Sequence, residues 1–520
     1  MNLYHWADNV AEKVIREKGN KAKYTLASGI TPSGTIHIGN FREIITVDIV
    51  AKAFLRRGKK IRFIYSWDDY DVFRKVPSNM PNQSMLKKHL RKTIVDVPDP
   101  FDKKDSYARN NETIVEKDIV KVGIEPEFIY QAKMYRAGKY VEEIKKALEK
   151  TDKIKKELNE HRKKPLDKNW LPISIFCEKC SKDTIKKLEW KGDYTIYYKC
   201  ECNFEDEFNF KKKPLLKLKW RVDWPMRWYY EKVDFEPGGK DHSTSGGSFD
   251  TGKQICKEVW GFEAPSYIMY EWIGIKGKGQ FASSSGNVIT LNELLEIYEP
   301  EIVRYLFAGT RPNAEFAISF DLDVIKIYED FDKCERIYFK EQKSKNHKEF
   351  EKQKRIYELS AVNKLSKNMS FQPPFRHLTT IVQVYEGNIQ KVVDHYKEIY
   401  SLKSKQDVDK LKVRAKCSYN WISKYAPEDI KFKIQDKVKT RLSAKEKIAL
   451  NKVSDSLRQS KFSESELKEH FYNVCEEIDL EPKQFFKAAY KVLVNKESGP
   501  KLASFVLILG DRAINLFSKV

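Results

Sequence analysis

The chain has 520 residues, 41% hydrophobic and 13% aromatic, with 97 Lys and Arg against 75 Asp and Glu for a net charge of +22. This composition excludes a disordered chain, and the length exceeds one ordinary core, so about three to four domains are expected. The positive balance favours an anionic partner such as nucleic acid, although a lysine-biased composition gives much the same charge by itself.

The first residues carry an early acid, Asp8, and an amphipathic pattern through Val14, unlike a secretory signal. No apolar run approaches the ~20 residues that a membrane span needs, and the longest, 505–509, suits a buried helix. A cytoplasmic protein without a membrane partner is expected. Neither an internal repeat nor a low-complexity tract stands out.

Residues 24–27 read as a strand, 41–55 as a helix ending near Gly58, and 61–67 as a second strand. Between the first strand and the helix lies Thr31-Pro32-Ser33-Gly34-Thr35-Ile36-His37-Ile38-Gly39-Asn40. Strand, Gly-bearing turn, helix N-terminus and strand make the first half of a nucleotide-binding α/β fold, and a helix N-terminus offers unpaired N–H groups to phosphate. Neither common phosphate loop is present. From Asp96 the pattern changes to charge-rich helical segments through Glu160, and Lys211-Lys212-Lys213-Pro214 closes what reads as an insertion. Residues 231–235 read as a strand ending in a Gly-rich turn, Glu236-Pro237-Gly238-Gly239-Lys240-Asp241-His242. A helical run to Val259 follows, then a strand at 267–275. Helical segments follow from Leu291. After about Lys340 the chain is lysine-rich with helical periodicity, broken at Pro373-Pro374, and reads as an α-helical bundle.

Eight cysteines in so long a chain are not a disulfide framework. Cys177-x-x-Cys180 and Cys200-x-Cys202 are spaced as a four-thiolate zinc site, with a hairpin predicted between them through Trp190, Tyr194 and Tyr198. Four thiolates leave no open coordination position, so the zinc is expected to be structural. Cys256, Cys334, Cys417 and Cys475 lie singly in apolar-periodic segments and are expected to be packing residues.

The string Pro32-x-Gly34-x-x-His37-Ile38-Gly39-Asn40 resembles the HIGH signature of class I aminoacyl-tRNA synthetases. The longer string Ala27-Ser28-Gly29-Ile30-Thr31-Pro32-Ser33-Gly34 resembles the class I type of lysyl-tRNA synthetase. Residues 63–71, 220–228 and 239–242 fit the same family in order along the chain, as do Pro312-Asn313 and Ser319-Phe320-Asp321. The resemblance implies a Rossmann-type parallel-sheet catalytic domain with a zinc-binding insertion and a C-terminal all-α bundle. The implied regions are a first catalytic half at 1–95, an insertion with the Cys module at 96–214 and a second catalytic half at 215–275. A loop and stem-contact region at 276–339 and an anticodon-binding domain at 340–520 would follow. The implied ligands are ATP with Mg2+, L-lysine and tRNA(Lys), acting on a monomer; the alternative is a tRNA-binding paralogue without the chemistry.

On this resemblance Thr31, Pro32, Ser33, Gly34, His37, Ile38, Gly39 and Asn40 bind ATP, with His37 and Asn40 on the phosphate side and Gly39 leaving room for adenine. Gln280, Phe281, Ala282, Ser283, Ser284 and Ser285 occupy the place of the family's KMSKS loop, but Gln280 and Ser285 stand where lysines are expected. Lys276 and Lys278, just upstream, are the candidates to supply the missing cations, with Ser283 and Ser284 as donors. An ammonium substrate needs a carboxylate. Asp68, Asp69 and Asp71, just after the second strand, are the candidates, with Asp241 a rival at the other turn; these acids also suit caps or ion pairs with Arg42 or Arg74. By resemblance Gly29, Thr31, Trp220 and His242 line the amino-acid pocket, Trp220 offering a wall or a cation–π face.

Overall fold

The computed structural model describes residues 4–277, 279–280 and 288–520. In chain order its strands are β1 (Lys23–Ile30), β2 (Lys60–Trp67), β3 (Glu127–Tyr130), β4 (Ile173–Ile175), β5 (Ile185–Trp190), β6 (Thr195–Cys200), β7 (Glu205–Asn209), β8 (Leu216–Leu218), β9 (Phe235–Gly239), β10 (Ser266–Tyr270), β11 (Ile273–Ile275), β12 (Gly279–Gln280) and β13 (Phe316–Ile318). The chain divides into two compact units. The first comprises Met1–Leu294, Pro300–Ile318 and Lys340–Leu365, and the second Leu295–Glu299, Ser319–Phe339 and Ser366–Val520.

The first unit is built on a five-stranded parallel sheet of order β10-β9-β1-β2-β3. Helices α1 (Trp6–Lys18) and α2 (Ile38–Arg56) pack on one another, and α2 lies against β1, β2 and β9. Within the sheet, between β10 and β1, β9 is buried at every position from Phe235 to Gly239, as expected where both faces are covered. From β1 the chain runs outward through β2 to β3, whereas β9 and β10 lie on the other side, so the strand order reverses between β1 and β9. Eight residue pairs join β1 to β2, from Lys23↔Lys60 to Ile30↔Trp67, but only Leu26↔Phe235 joins β1 to β9. Toward their carboxyl ends these two strands are therefore unpaired, and such a switch point is where open α/β sheets bind ligands.

Within the expected insertion, β3 is the edge strand of the parallel sheet, and only the cysteine-bearing part is an antiparallel module. Strands β4 and β8 form a two-stranded ribbon, Ile173↔Leu218 to Ile175↔Leu216, through which the chain enters and leaves. Strands β5, β6 and β7 carry the expected hairpin. The module's apolar side chains, Ile196, Tyr198, Phe208 and Phe210, join a core that reaches Tyr135, Val222 and Met226.

Three segments differ from the sequence reading. Residues 231–235 are not a strand: the helix Trp220–Glu231 runs through that start, Lys232 closes it at φ 55°, and β9 begins at Phe235. Residues 267–275 are two strands, β10 in the parallel sheet and β11 in a small sheet with β12 and β13, because the chain breaks at Glu271 and Trp272. The helix His347–Ser360 belongs to the first unit, not to the C-terminal helices. Two arginines hold it there. The buried Arg304 guanidinium donates to the Leu359 carbonyl at 3.0 and 3.1 Å and to Asp48 at 2.6 Å, and Arg355 grips Asp8 through two bonds of 2.8 and 3.0 Å.

Among the described residues the second unit holds helices and no strand. Arg414 is buried between Glu299, at 2.7 Å, and Asp332, and Trp421 donates to the Phe320 carbonyl at 2.9 Å. The helices Ala444–Gln459, Glu464–Glu477, Pro482–Val494 and Leu502–Leu509 enclose a core of Leu450, Leu467, Phe471, Phe485, Leu493 and Phe505. Cys256, Cys334, Cys417 and Cys475 are buried, as expected of packing residues. Among the described residues no helix is long and apolar enough to cross a membrane.

Asp8 also accepts a bond of 3.1 Å from Arg57, so one buried carboxylate neutralises two guanidinium groups. Burial works to raise its carboxyl, but Arg355 and Arg57 outweigh that and hold it below its ordinary value. This contribution to stability is present above the unfolded carboxylate range and is lost as pH falls through the depressed one. Replacing Asp8 by Ala leaves Arg355 with only Glu358 and Arg57 with only the more distant Glu12 as carboxylate partners, and is expected to lower the stability of the first unit by about 3 kcal/mol. A urea midpoint equal to that of the unaltered protein at neutral pH would count against this brace.

Candidate functional site

The first signature sits where β1 gives way to α2. His37 is the N-cap of α2: its Nδ1 accepts the Gly39 N–H at 3.1 Å, while the Asn40 side-chain oxygen accepts the His37 N–H at 3.2 Å. This reciprocal box satisfies donors that a helix start leaves unpaired. It also fixes the tautomer, because an accepting Nδ1 puts the ring proton on Nε2. An apolar recess that includes Ile36, Phe41, Ile44 and Leu291 adjoins the ring, and burial pushes its pKa down to about 4. The imidazole is therefore neutral at physiological pH.

The turn before it is held from the insertion. On the helix Tyr107–Val120, the Tyr107 hydroxyl donates to the Ser33 carbonyl at 3.0 Å and the Asn111 amide to the Pro32 carbonyl at 3.2 Å. The Ile38 N–H donates to the Ile289 carbonyl at 2.8 Å. Thr35 accepts from Asn79 at 3.1 Å. Gly34 lies against Pro77.

The switch-point crevice is lined with acids. Gly29 must lack a side chain, since a Cβ there would come within 2.8 Å of the Ser66 carbonyl oxygen on β2. Its N–H, with no β9 partner to meet, donates to the Glu43 carboxylate at 2.9 Å, and the Tyr270 hydroxyl donates to the other Glu43 oxygen at 2.6 Å. Among the described residues no Lys or Arg pairs with Glu43. Burial, reinforced by Glu236 and Asp68, pushes its carboxyl up to about 8. Glu236 on β9 accepts the indole N–H groups of Trp224, at 3.0 Å, and Trp228, at 2.7 Å; burial pushes it up to about 7.

The expected acids are placed differently. Asp68 is buried against Arg227, at 2.6 Å, and Arg227 also donates to Ser66 at 2.8 Å. Asp71 pairs with Lys217, accepts the Thr31 hydroxyl at 3.3 Å, and is held below its ordinary value by Lys217 despite burial. Asp223 lies 3.5 Å from Lys217 and 3.7 Å from Arg227, and accepts the Tyr135 hydroxyl. Asp69 accepts the Ala132 N–H at 2.8 Å. Asp68 and Asp71 thus already carry cations from within the chain, Arg227 and Lys217, and neither is the Arg42 or Arg74 that sequence reasoning considered. Asp241 is exposed, 3.7 Å from His242. Glu43, Glu236 and Tyr270 were missed. The available signal was an acid, Glu43, in the second turn of α2, a helix that carries Asp48 as well.

Trp220, Trp224 and His242 come together as an aromatic wall. Trp220 stacks on Trp224 at 5.4 Å, and the His242 ring lies 6.2 and 5.6 Å from them. Arg227 lies over the Trp220 face at 5.6 Å. Gly239, before the turn Lys240–His242, leaves space that Asp241 and Tyr270 occupy.

Lys276 is exposed on the turn after β11, with its N–H donating to the Ile318 carbonyl at 3.0 Å. Gln280 ends β12, opposite Gly274. Lys278, Phe281, Ala282, Ser283, Ser284 and Ser285 lie outside the described residues. The four cysteines Cys177, Cys180, Cys200 and Cys202 converge, with all sulfurs within 4.8 Å of one another. Each pair sits on a tight turn, with the Ser181 N–H bonded to the Cys177 carbonyl at 2.7 Å and the Asn203 N–H to the Cys200 carbonyl at 3.1 Å. A closed set of four sulfurs suits a tetrahedral zinc.

A family model described as tRNA synthetases class I (K) matches residues 4–363. The chain is 49% identical over 525 residues to the lysine–tRNA ligase of Borreliella burgdorferi, covering 100% of both chains. It is 45% identical to that of Treponema pallidum, over 98% of this chain and 97% of the relative, and 42% identical to that of Thermococcus kodakarensis, over 98% of each. With its signature turn on α2, its parallel sheet and its full-length likeness to these relatives, the chain belongs to the class I (K) family of tRNA synthetases.

Proposed function

We propose that this chain is a lysine–tRNA ligase. The lysine carboxylate attacks the α-phosphorus of ATP, pyrophosphate leaves, and a lysyl-adenylate forms. A ribose hydroxyl of the terminal adenosine of tRNA(Lys) then attacks the adenylate carbonyl, and AMP leaves. The full-length identity with lysine–tRNA ligases supports the reaction. The observation that carries the substrate is Glu43, a buried carboxylate without a protein cation at the switch point. A pocket for glutamate would need Arg or Lys in that position; a lysine ammonium supplies the missing charge.

In this reading Glu43 and Tyr270 hold the substrate ε-ammonium, and Trp220 and His242 flank its stem. Gly29 and Thr31 border the same crevice, with Asp68 and Asp71 contributing negative field while bound to Arg227 and Lys217. His37 donates from Nε2 to a phosphoryl oxygen as charge grows there, with Asn40 beside it. Thr31, Pro32, Ser33, Gly34, Ile38 and Gly39 shape the nucleotide side. Joining two anions calls for positioning and charge neutralisation more than covalent help. Mg2+ arrives with the ATP phosphates and shares their charge. Lys276 and Lys278, with Ser283 and Ser284, stand in for the lysines usual to the second signature. Cys177, Cys180, Cys200 and Cys202 hold a structural zinc, whose part is to close the module's turns. The helices of the second unit after Ser366 bind the anticodon arm. The protein works in the cytoplasm, as a monomer.

ATP–pyrophosphate exchange measured with each standard amino acid is expected to depend on lysine alone; tight tRNA binding with no exchange for any amino acid would instead indicate the paralogue without the chemistry. The Glu43 carboxyl, neutral below about 8 in the free protein, must lose its proton to hold an ammonium. Lysine affinity is therefore expected to rise with pH up to about 8, with proton release on binding. Glu43→Gln should abolish that pH dependence and weaken binding by about 3 kcal/mol. Calorimetry in two buffers of different ionisation enthalpy checks this, and proton uptake on binding would contradict it. Elemental analysis of chelator-free protein should find one zinc per chain, lost in Cys200→Ser; a metal-free preparation with full activity and stability would remove the zinc.

A further inference from the structure

Arg42 is the fifth residue of α2, two residues after Asn40, and is only 2% exposed. Among the described residues no carboxylate pairs with its guanidinium. Instead it donates to five main-chain carbonyls. One nitrogen meets Glu271 at 2.8 Å and Trp272 at 3.2 Å; the other meets Arg311 at 3.1 Å, Pro312 at 2.7 Å and Ala314 at 2.8 Å. Its face lies over Phe316 at 5.2 Å. A buried cation satisfied only by carbonyl oxygens is unusual, because a carboxylate would neutralise it at less cost.

The acceptors fall in two segments with one purpose in common. Glu271 and Trp272 are the break at which the chain leaves the parallel sheet at β10 and starts β11. Residues 311–314 lead into β13, which pairs with β11. The Glu271 N–H also donates to the Pro312 carbonyl at 2.8 Å, joining the two segments directly. Strand β11 ends one residue before Lys276, whose N–H is bonded to Ile318 of β13. Thus one guanidinium fastens the base of the second-signature segment to the helix turn that carries His37 and Asn40.

We infer that Arg42 is a positioning residue for adenylate formation: it sets the register of the β11–β13 platform, and of Lys276 at its end, against the phosphate side of α2. This rests on the reading that Lys276 acts on ATP. Only a planar fork can serve carbonyls on both sides at once. A lysine keeps the charge but has three donors on a single point, so some acceptors lose their partner.

The test uses the full chain and compares Arg42→Lys and Arg42→Met with a Lys276→Ala control. Lysine binding is measured calorimetrically without ATP, alongside kcat for pyrophosphate exchange. The expected result is an exchange kcat lowered about 10- to 100-fold in Arg42→Lys, the usual consequence of a reacting group displaced by about 1 Å, with lysine affinity within about twofold of the original. A larger loss is expected in Arg42→Met. An unchanged kcat in Arg42→Lys beside an impaired Lys276→Ala would overturn the inference while leaving the ATP role of Lys276 intact. Unchanged kcat in both would overturn that role, and the inference with it. Parallel loss of lysine affinity and kcat in Arg42→Lys would reduce Arg42 to general support of the fold and overturn the inference too.

Discussion

The parting of β1 from β9 after Leu26 is the constraint from which the site follows. A β-strand whose neighbour departs leaves N–H groups that must find partners. At Gly29 the partner is a carboxylate, Glu43, brought by α2 into the gap between the strands. Taking that acid out of water is costly, and the chain offers it a hydroxyl and an amide instead of a cation. Burial therefore pushes its carboxyl up to about 8, and the free protein holds it neutral at neutral pH.

The other acids of the crevice are handled in the opposite way. Asp68, Asp71 and Asp223 face Lys217 and Arg227, so that most of their charge is cancelled within the protein. The two cations arrive from different places: Lys217 from β8, the return strand of the cysteine module, and Arg227 from the helix after it. The module is thus tied to the crevice by more than its covalent connections. A disturbance of the β4–β8 ribbon would be felt at Asp71 and, through it, at Thr31. Such networks serve geometry more than stability, since buried ion pairs seldom outdo apolar packing.

Much of this is legible in the sequence. The strand–turn–helix around His37, the cysteine quartet, the hairpin inside it and the helical C-terminal region all rest on short-range patterns, and each appears where those patterns put it. What misled was local in the same way. The β-branched and aromatic character of 231–235 suggested a strand, but the helix from Trp220 runs on to Glu231 because its tryptophans pack against Glu236 and Phe249. The stretch 267–275 reads as continuous, and its break at Glu271 depends on an arginine some 230 residues earlier in the chain. The helix at His347 looks like its lysine-rich successors, yet two arginine clamps assign it to the sheet unit.

By itself the sequence pointed to the family and the two-step chemistry it implies, and it placed the signature turn and the cysteine quartet, because these depend on residue types at fixed short spacing. Only the tertiary structure decided which crevice acids, among the described residues, lack a counter-ion. Asp68, Asp71 and Glu43 are equally acidic as letters. Their difference lies in whether a Lys or Arg from more than 140 residues away is folded against them, as Lys217 is for Asp71 and Arg227 for Asp68. Charge compensation in a buried site is a property of long-range packing, and no local pattern encodes it.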